Sequence, residues 1–171
     1  IHIVGTRGHE LLHVQVGKNL KPTTEKVAGL SELHPATGLD AVWTKAGLVV
    51  VAPGPQARTL AFYAVGAGEV KPLVLTDHAW VHPLLCYDDE RKRLHLVMSP
   101  WNNYSSIYDV VYYLRSDDFG KSWAKADGSR FDLPLQPTPA EHGREHACPE
   151  RISIIGQPAG GHSNTLAHCV E

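Results

Sequence analysis

The stretch Ser116-Asp117-Asp118-Phe119-Gly120-Lys121-Ser122-Trp123 decides the fold, because its residues are those that a structured hairpin turn requires. Ser116 and Asp118 have short polar side chains that hydrogen-bond to the amides of a turn. Gly120 permits the positive φ of a tight turn. Trp123 is large enough to fill apolar space between two sheets. The stretch therefore predicts a turn that is anchored between neighbouring sheets.

On both sides of this stretch, the chain repeats a set of short strands at intervals of roughly 46 residues. The aligned strands are Ile1–Gly5, Leu48–Ala52 and Leu94–Met98. Each is followed by further strands; in the last set these are Asp109–Arg115 and the segment Ser129–Leu135. Prolines and glycines fall mostly at the ends of predicted strands. The pattern predicts an all-β protein of consecutive four-stranded antiparallel sheets, and a generic β-sandwich is the alternative.

The motif resembles the Asp-box, or bacterial-neuraminidase repeat, of sialidase-like β-propellers. The residues that carry the resemblance are Ser116, Asp118, Gly120, Ser122 and Trp123. It implies a β-propeller in which these five residues are structural and lie on an outer hairpin. Closed propellers have about four to eight blades, so we expect a partial propeller of about three. The predicted blades are 1–30, 38–76 and 78–135, with the start of a further blade at 162–171.

The resemblance also implies a function. The tract 112–135 is most similar to repeat proteins of bacterial polysaccharide degradation. The Arg-Ile-Pro signature of true sialidases is lacking, and Arg151-Ile152-Ser153 is its nearest counterpart. We therefore expect a glycan substrate and either a polysaccharide lyase or a glycoside hydrolase of the sialidase superfamily. A non-catalytic scaffold that binds glycan or protein is the alternative. The resemblance favours a secreted or periplasmic protein.

Candidate catalytic residues come from the histidines, of which the chain has eleven. Several precede the strands that we predict to be innermost, where a propeller holds its ligands. Imidazole titrates near neutral pH and can take or give a proton. The candidates, together with one arginine that would neutralise a uronate, are His34, His78, His82, His162 and Arg144. The other histidines that we single out, His2, His13 and His95, are predicted to lie on strand faces.

Substrate binding is predicted at a polar aromatic loop and at the start of the last strand set. Trp and Tyr provide a surface on which a sugar ring stacks, and neighbouring amides bind its hydroxyl groups. The residues are Trp101, Asn102, Tyr104 and Asn164. The alternative for the aromatic residues is that they pack in a buried loop.

Composition excludes several classes of partner. The formal net charge is −2 and no basic run is present, which argues against nucleic acid. No apolar stretch is long enough to insert in a membrane. The three cysteines do not indicate a disulfide-stapled fold. The spacing of His142, His146 and Cys148 allows a zinc site, but a nearby glycine and prolines make a helix there doubtful. We expect neither metal nor cofactor, and the oligomeric state stays open.

Overall fold

A computed structural model describes most of the chain. The described residues are 1–30, 38–56, 59–66, 69–75, 81–100, 111–130, 132–134 and 151–152. In these ranges the backbone forms β-strands and turns and no helix, which confirms the predicted all-β class. Over the same residues, nothing resembles a long apolar helix of the kind that crosses a membrane.

The described strands form three antiparallel sheets in chain order. The first sheet contains β1 (His2–Arg7), β2 (Glu10–Val16) and β3 (Pro22–Gly29). The middle sheet contains β4 (Asp40–Thr44), β5 (Gly47–Pro53), β6 (Thr59–Ala64) and β7 (Glu69–Leu75). The third sheet contains β8 (Val81–Asp88), β9 (Arg93–Pro100), β10 (Val111–Ser116) and β11 (Arg151–Ile152).

The last strand of the third sheet differs from the prediction. The sequence pattern predicts that Ser129–Leu135 pairs beside β10. In the structure β11 holds that position, with Val111 opposite Ile152. The chain after Trp123 folds back instead, because Ala124 forms isolated antiparallel bridges with both Arg115 and Arg130. Asp127 accepts hydrogen bonds from the amide and hydroxyl of Ser129, which closes a turn in place of the strand.

The middle sheet is buried on both faces, and this explains its sequence. β5 reads as a continuous apolar run, and its residues after Gly47 are all buried. Such runs are typical of strands covered on both sides. Leu48 and Val50 face the first sheet, whereas Val49 and Val51 face the third. Two apolar cores therefore lie on opposite faces of one sheet.

The two cores have different compositions. The core shared with the first sheet consists mainly of Leu11, Leu30, Leu48, Val50, Ala52, Ala61 and Tyr63. The core shared with the third sheet is larger and contains Val49, Val51, Leu60, Phe62, Leu73, Leu85, Leu94, Leu96, Met98, Tyr112, Leu114 and Trp123. The Tyr63 hydroxyl donates a 2.6 Å hydrogen bond to the carbonyl of Pro53. Burial raises the pKa of Tyr63 to about 12, so the phenol is neutral.

The first strands of the middle and third sheets, β4 and β8, lie next to each other. Asp40 at the start of β4 links them, since one carboxylate oxygen accepts the amide of Leu85 in β8 at 2.7 Å. The other oxygen accepts the amide of Ala41 at 2.8 Å. One side chain therefore fixes the position of two neighbouring sheet edges.

Candidate functional site

The turn Ser116–Trp123 is held by its own side chains. The hydroxyl of Ser116 accepts the amide of Gly120 at 2.7 Å and donates to Asp118 at 2.8 Å. Asp118 also accepts the amide of Ser122 at 2.8 Å and its hydroxyl at 2.6 Å. The predicted bonding of Asp118 to its own turn is confirmed.

The hydrogen bonds of this turn stabilise the charged form of Asp118. Burial raises the pKa of the carboxyl, but the hydrogen bonds from the hydroxyl and amide of Ser122 and from Ser116 together outweigh burial, and the pKa is lowered overall. Hydrogen bonds to the charged form favour that form. Asp118 is therefore an ionised structural group rather than a proton donor for a ligand.

Gly120 and Trp123 anchor the turn to the middle sheet. Gly120 has φ +87°, and a Cβ atom there would overlap the ring of Phe62. Trp123 is 1% exposed, and its ring meets Phe62 edge to face at 5.9 Å. This confirms the predicted burial of Trp123 between two sheets. This turn thus joins the third sheet to the middle sheet.

Most of the predicted site residues lie outside the described residues. These are His34, His78, His162, Arg144, Trp101, Asn102, Tyr104 and Asn164, and the zinc alternative His142, His146 and Cys148 also falls there. His82 belongs to β8, where its backbone is opposite Ser99. Their predicted convergence therefore stays a prediction.

The described part contains a cleft between the first and middle sheets. Its volume is ≈ 420 Å³, and its walls come from β1, β4 and β5. The lining residues are His2, Val4, Leu39, Asp40, Ala41, Trp43 and Leu48. Trp43 is 55% exposed, and its ring lies 4.5 Å from that of His2. The cleft offers an aromatic surface of mixed polar and apolar character between three strands.

A chain of polar groups orients His2 at this cleft. His2 Nδ1 lies 2.9 Å from His13 Nε2, and His13 Nδ1 lies 3.6 Å from the carboxylate of Glu25. When both rings are neutral, the carboxylate favours a proton on Nδ1 of His13. Nε2 of His13 then accepts the Nδ1 proton of His2, which leaves Nε2 of His2 as an acceptor.

His2 and His13 lie on a strand face, as the sequence predicts, but their pairing was not anticipated. The register places Val4 opposite His13, so His2 and His13 are diagonal neighbours. Glu25 lies directly opposite His13 on β3. The sequence contains the information for the pairing of His2 with His13, because a turn at Gly8 fixes which residues of β1 and β2 lie opposite each other.

A second polar cluster lies on the outer face of the third sheet. His95 Nδ1 is 2.7 Å from the hydroxyl of Tyr113. Burial and then the charge of Arg93 lower the pKa of His95, so its ring is neutral at pH 7. Arg93 and Arg115 both pair with Asp117. Asp117 offsets one of the two arginine charges and holds both side chains against the sheet, and we interpret this cluster as support for the sheet.

Within the described ranges, no group of three or more His, Cys, Asp or Glu side chains is placed to hold a metal ion. Comparison with known proteins found no matching family model and no curated protein with significant sequence similarity to this chain.

Proposed function

We propose that this chain is part of a β-propeller that binds and processes a glycan at the end where the first strands of its sheets meet. The observation that carries the proposal is the contact between β4 and β8, which Asp40 and Leu85 join by a hydrogen bond. In a propeller, the first strands of successive sheets must be neighbours, because they surround the central axis. Ligands of propellers bind on the loops that lead into these strands, so the chemistry must be sought there.

The sequence places candidate groups at those positions. β4 begins at Asp40 and β8 at Val81; His34 and His78 precede them, and His82 is in β8. A neutral imidazole takes the proton next to the carboxylate of a uronate residue, and a cation, for which we choose Arg144, stabilises the developing enolate. The neighbouring glycosidic oxygen then leaves with the electron pair of its bond to carbon and takes a proton from the imidazolium, which leaves a carbon–carbon double bond conjugated to the carboxylate and returns the imidazole to its neutral form.

The test is an assay for unsaturated products. The protein is incubated with polygalacturonate, alginate or hyaluronate, and ultraviolet absorbance is followed over time. We expect absorbance to grow with one of these polymers and His82→Ala to lower the rate by at least ~100-fold. His9→Ala, in the exposed turn after β1, is the matched control and should keep the rate. An unchanged rate in His82→Ala would contradict the proposed role.

A second candidate is a non-catalytic binding protein. It is favoured by the large apolar side chains that are exposed in the described part, namely Ile1, Ile3, Leu20 and Trp43. Exposed apolar groups of this kind mark surfaces that bind a partner. A glycan that binds without being cleaved, or a protein that binds at these side chains, would distinguish this function from the first.

A further inference from the structure

The ring of His2 connects the first sheet with the middle sheet. Its Nδ1 lies 2.9 Å from Nε2 of His13 in β2, and the two imidazole rings are stacked, with centroids 5.2 Å apart and 12° between their planes. The centroid of the same ring lies 4.5 Å from that of Trp43 in β4. The contact of His2 with Trp43 is therefore coupled to its hydrogen bond with His13.

His13 is the more firmly held partner of this pair. It is only 7% exposed, and its Nδ1 lies 3.6 Å from the carboxylate of Glu25, which is directly opposite it on β3. A buried ring with a partner at each nitrogen cannot rotate without losing one of those partners. A change in the pair is therefore taken up by His2, whose residue is exposed.

The charged groups that face the two rings come from two neighbouring strands. β3 contributes Glu25, and β4 contributes Asp40, which lines the same cleft but is bonded to backbone amides of β4 and β8. The other side chains that β4 and β5 present to the cleft are apolar or aromatic. The amino group of Ile1 is bonded to the carbonyl of Val16. Glu25 is therefore the charge that acts most directly on the pair.

The hydrogen bond of the pair survives the uptake of one proton. When both rings are neutral, Nδ1 of His2 donates to Nε2 of His13. A proton added to His13 reverses the bond, because Nε2 of His13 then donates to Nδ1 of His2, whose own proton lies on Nε2. The added charge lies beside the carboxylate of Glu25. The first proton therefore leaves His2 in place.

A second proton removes the hydrogen bond. Nδ1 of His2 and Nε2 of His13 then both carry a hydrogen, so neither nitrogen accepts, and a separation of 2.9 Å brings two donors together. The two rings, stacked at 5.2 Å, also carry charges of the same sign, which repel. Because His13 is held by burial and by Glu25, His2 is the ring that moves.

We infer that the pair of His2 and His13 forms a proton-dependent link between the first and middle sheets. With up to one added proton the link holds His2 against Trp43, and with two it releases His2. Imidazole changes its charge between about pH 5 and pH 8, so acidification opens the link. Because His2 and Trp43 both line the cleft, its aromatic surface changes with pH. The inference is independent of the proposed function.

The experiment is a magnetic resonance titration of the isotope-labelled full chain from about pH 8 to about pH 4.5. The nitrogen shifts of the imidazoles count the protons on the pair, and the nuclear Overhauser contact between the rings of His2 and Trp43 reports the link. We expect this contact to persist with one added proton and to be lost with the second. A contact that survives when both rings are charged, or a pair that still holds a single added proton at the end of the titration, would overturn the inference.

Two variants test the partners of His2. In His13→Gln the amide oxygen accepts from Nδ1 of His2 whether or not that ring is charged, so the contact with Trp43 should remain throughout the titration. Glu25→Gln, at a side chain that is 55% exposed, keeps the buried ring and removes the charge beside it.

We expect Glu25→Gln to move the loss of the contact to lower pH by at least ~0.3 unit, because the carboxylate no longer offsets the first proton. His9→Gln, in the exposed turn after β1, is the matched control and should leave the titration unchanged. Loss of the contact in His13→Gln as in the unmodified chain, or an unchanged midpoint in Glu25→Gln, would reject the link.

Discussion

At the scale of single residues, Gly120 has the strictest requirements in the described part of the chain. Its φ of +87° disfavours any side chain, and the ring of Phe62 occupies the space that a Cβ atom would need. Gly128 has a similar φ of +90°, but there a Cβ atom would meet only the flexible end of Arg115. Substitutions at the two glycines can therefore be compared to separate the free-energy cost of backbone conformation from the cost of overpacking.

We expect Gly120→Ala to lower the free energy of unfolding by ~2–4 kcal/mol, because backbone strain and a core clash add. Gly128→Ala should cost ~1 kcal/mol, since only the strain remains. Both free energies are to be measured by urea denaturation of the purified variants. Equal losses in the two variants would mean that contact with Phe62 does not constrain Gly120.

At the scale of elements, the hairpin turn 116–123 was predictable because the groups that hydrogen-bond within it lie in eight consecutive residues, whereas its contact with Phe62 was not. The strands of the middle sheet were predictable from apolar runs and turn residues. The last strand of the third sheet was not, because Ser129–Leu135 and Arg151–Ile152 differ in tertiary pairing and not in local pattern. The cleft depends on the distance between two stacked sheets, and no single segment of the sequence encodes that distance.

The hairpin makes a pH-dependent contribution to stability through Asp118. Its folded pKa lies below the ordinary value of 3.8, so the unfolded chain binds its proton more tightly. The stabilisation is therefore present above pH ~4 and is lost as pH falls through the folded pKa. Asp118→Ala should cost ~1–2 kcal/mol at pH 7, and the difference from the unmodified chain should shrink toward pH 2.

This effect is measured as the free energy of unfolding in urea across a pH series. Asp132→Ala, at an exposed position, is the control and should change stability by no more than ~0.5 kcal/mol. A loss for Asp118→Ala that stays constant down to pH 2 would show that the carboxylate charge is not what holds the turn.

At the scale of the whole molecule, the three sheets are joined by two apolar cores and by Asp40. The cores are non-directional and allow the sheets to slide, whereas the hydrogen bonds of Asp40 to Ala41 and Leu85 fix a position. A partly buried polar link of this kind adds specificity to hydrophobic stacking. The alignment of β4 with β8 is therefore set by one side chain near the start of a strand.

Asp40→Ala should cost ~1–3 kcal/mol, because the amide of Leu85 loses its partner. Hydrogen exchange should show faster exchange of the Leu85 amide, with little change at Leu96 in the neighbouring strand. Asp89→Ala, which removes a surface ion pair with Lys45, is the control and should cost at most ~1 kcal/mol. Unchanged exchange at Leu85 would contradict the proposed role of Asp40.

The two-sided burial of the middle sheet has a consequence for synthesis of the protein. A chain emerging from the ribosome completes β4–β7 before the residues of the third sheet are made, since the sheets follow one another in sequence. During that interval Val49, Val51 and Phe62 have no covering layer. Nascent chains with such an exposed apolar face are prone to aggregate. The speed at which residues 81–123 are translated therefore sets how long this apolar face stays uncovered in the newborn chain.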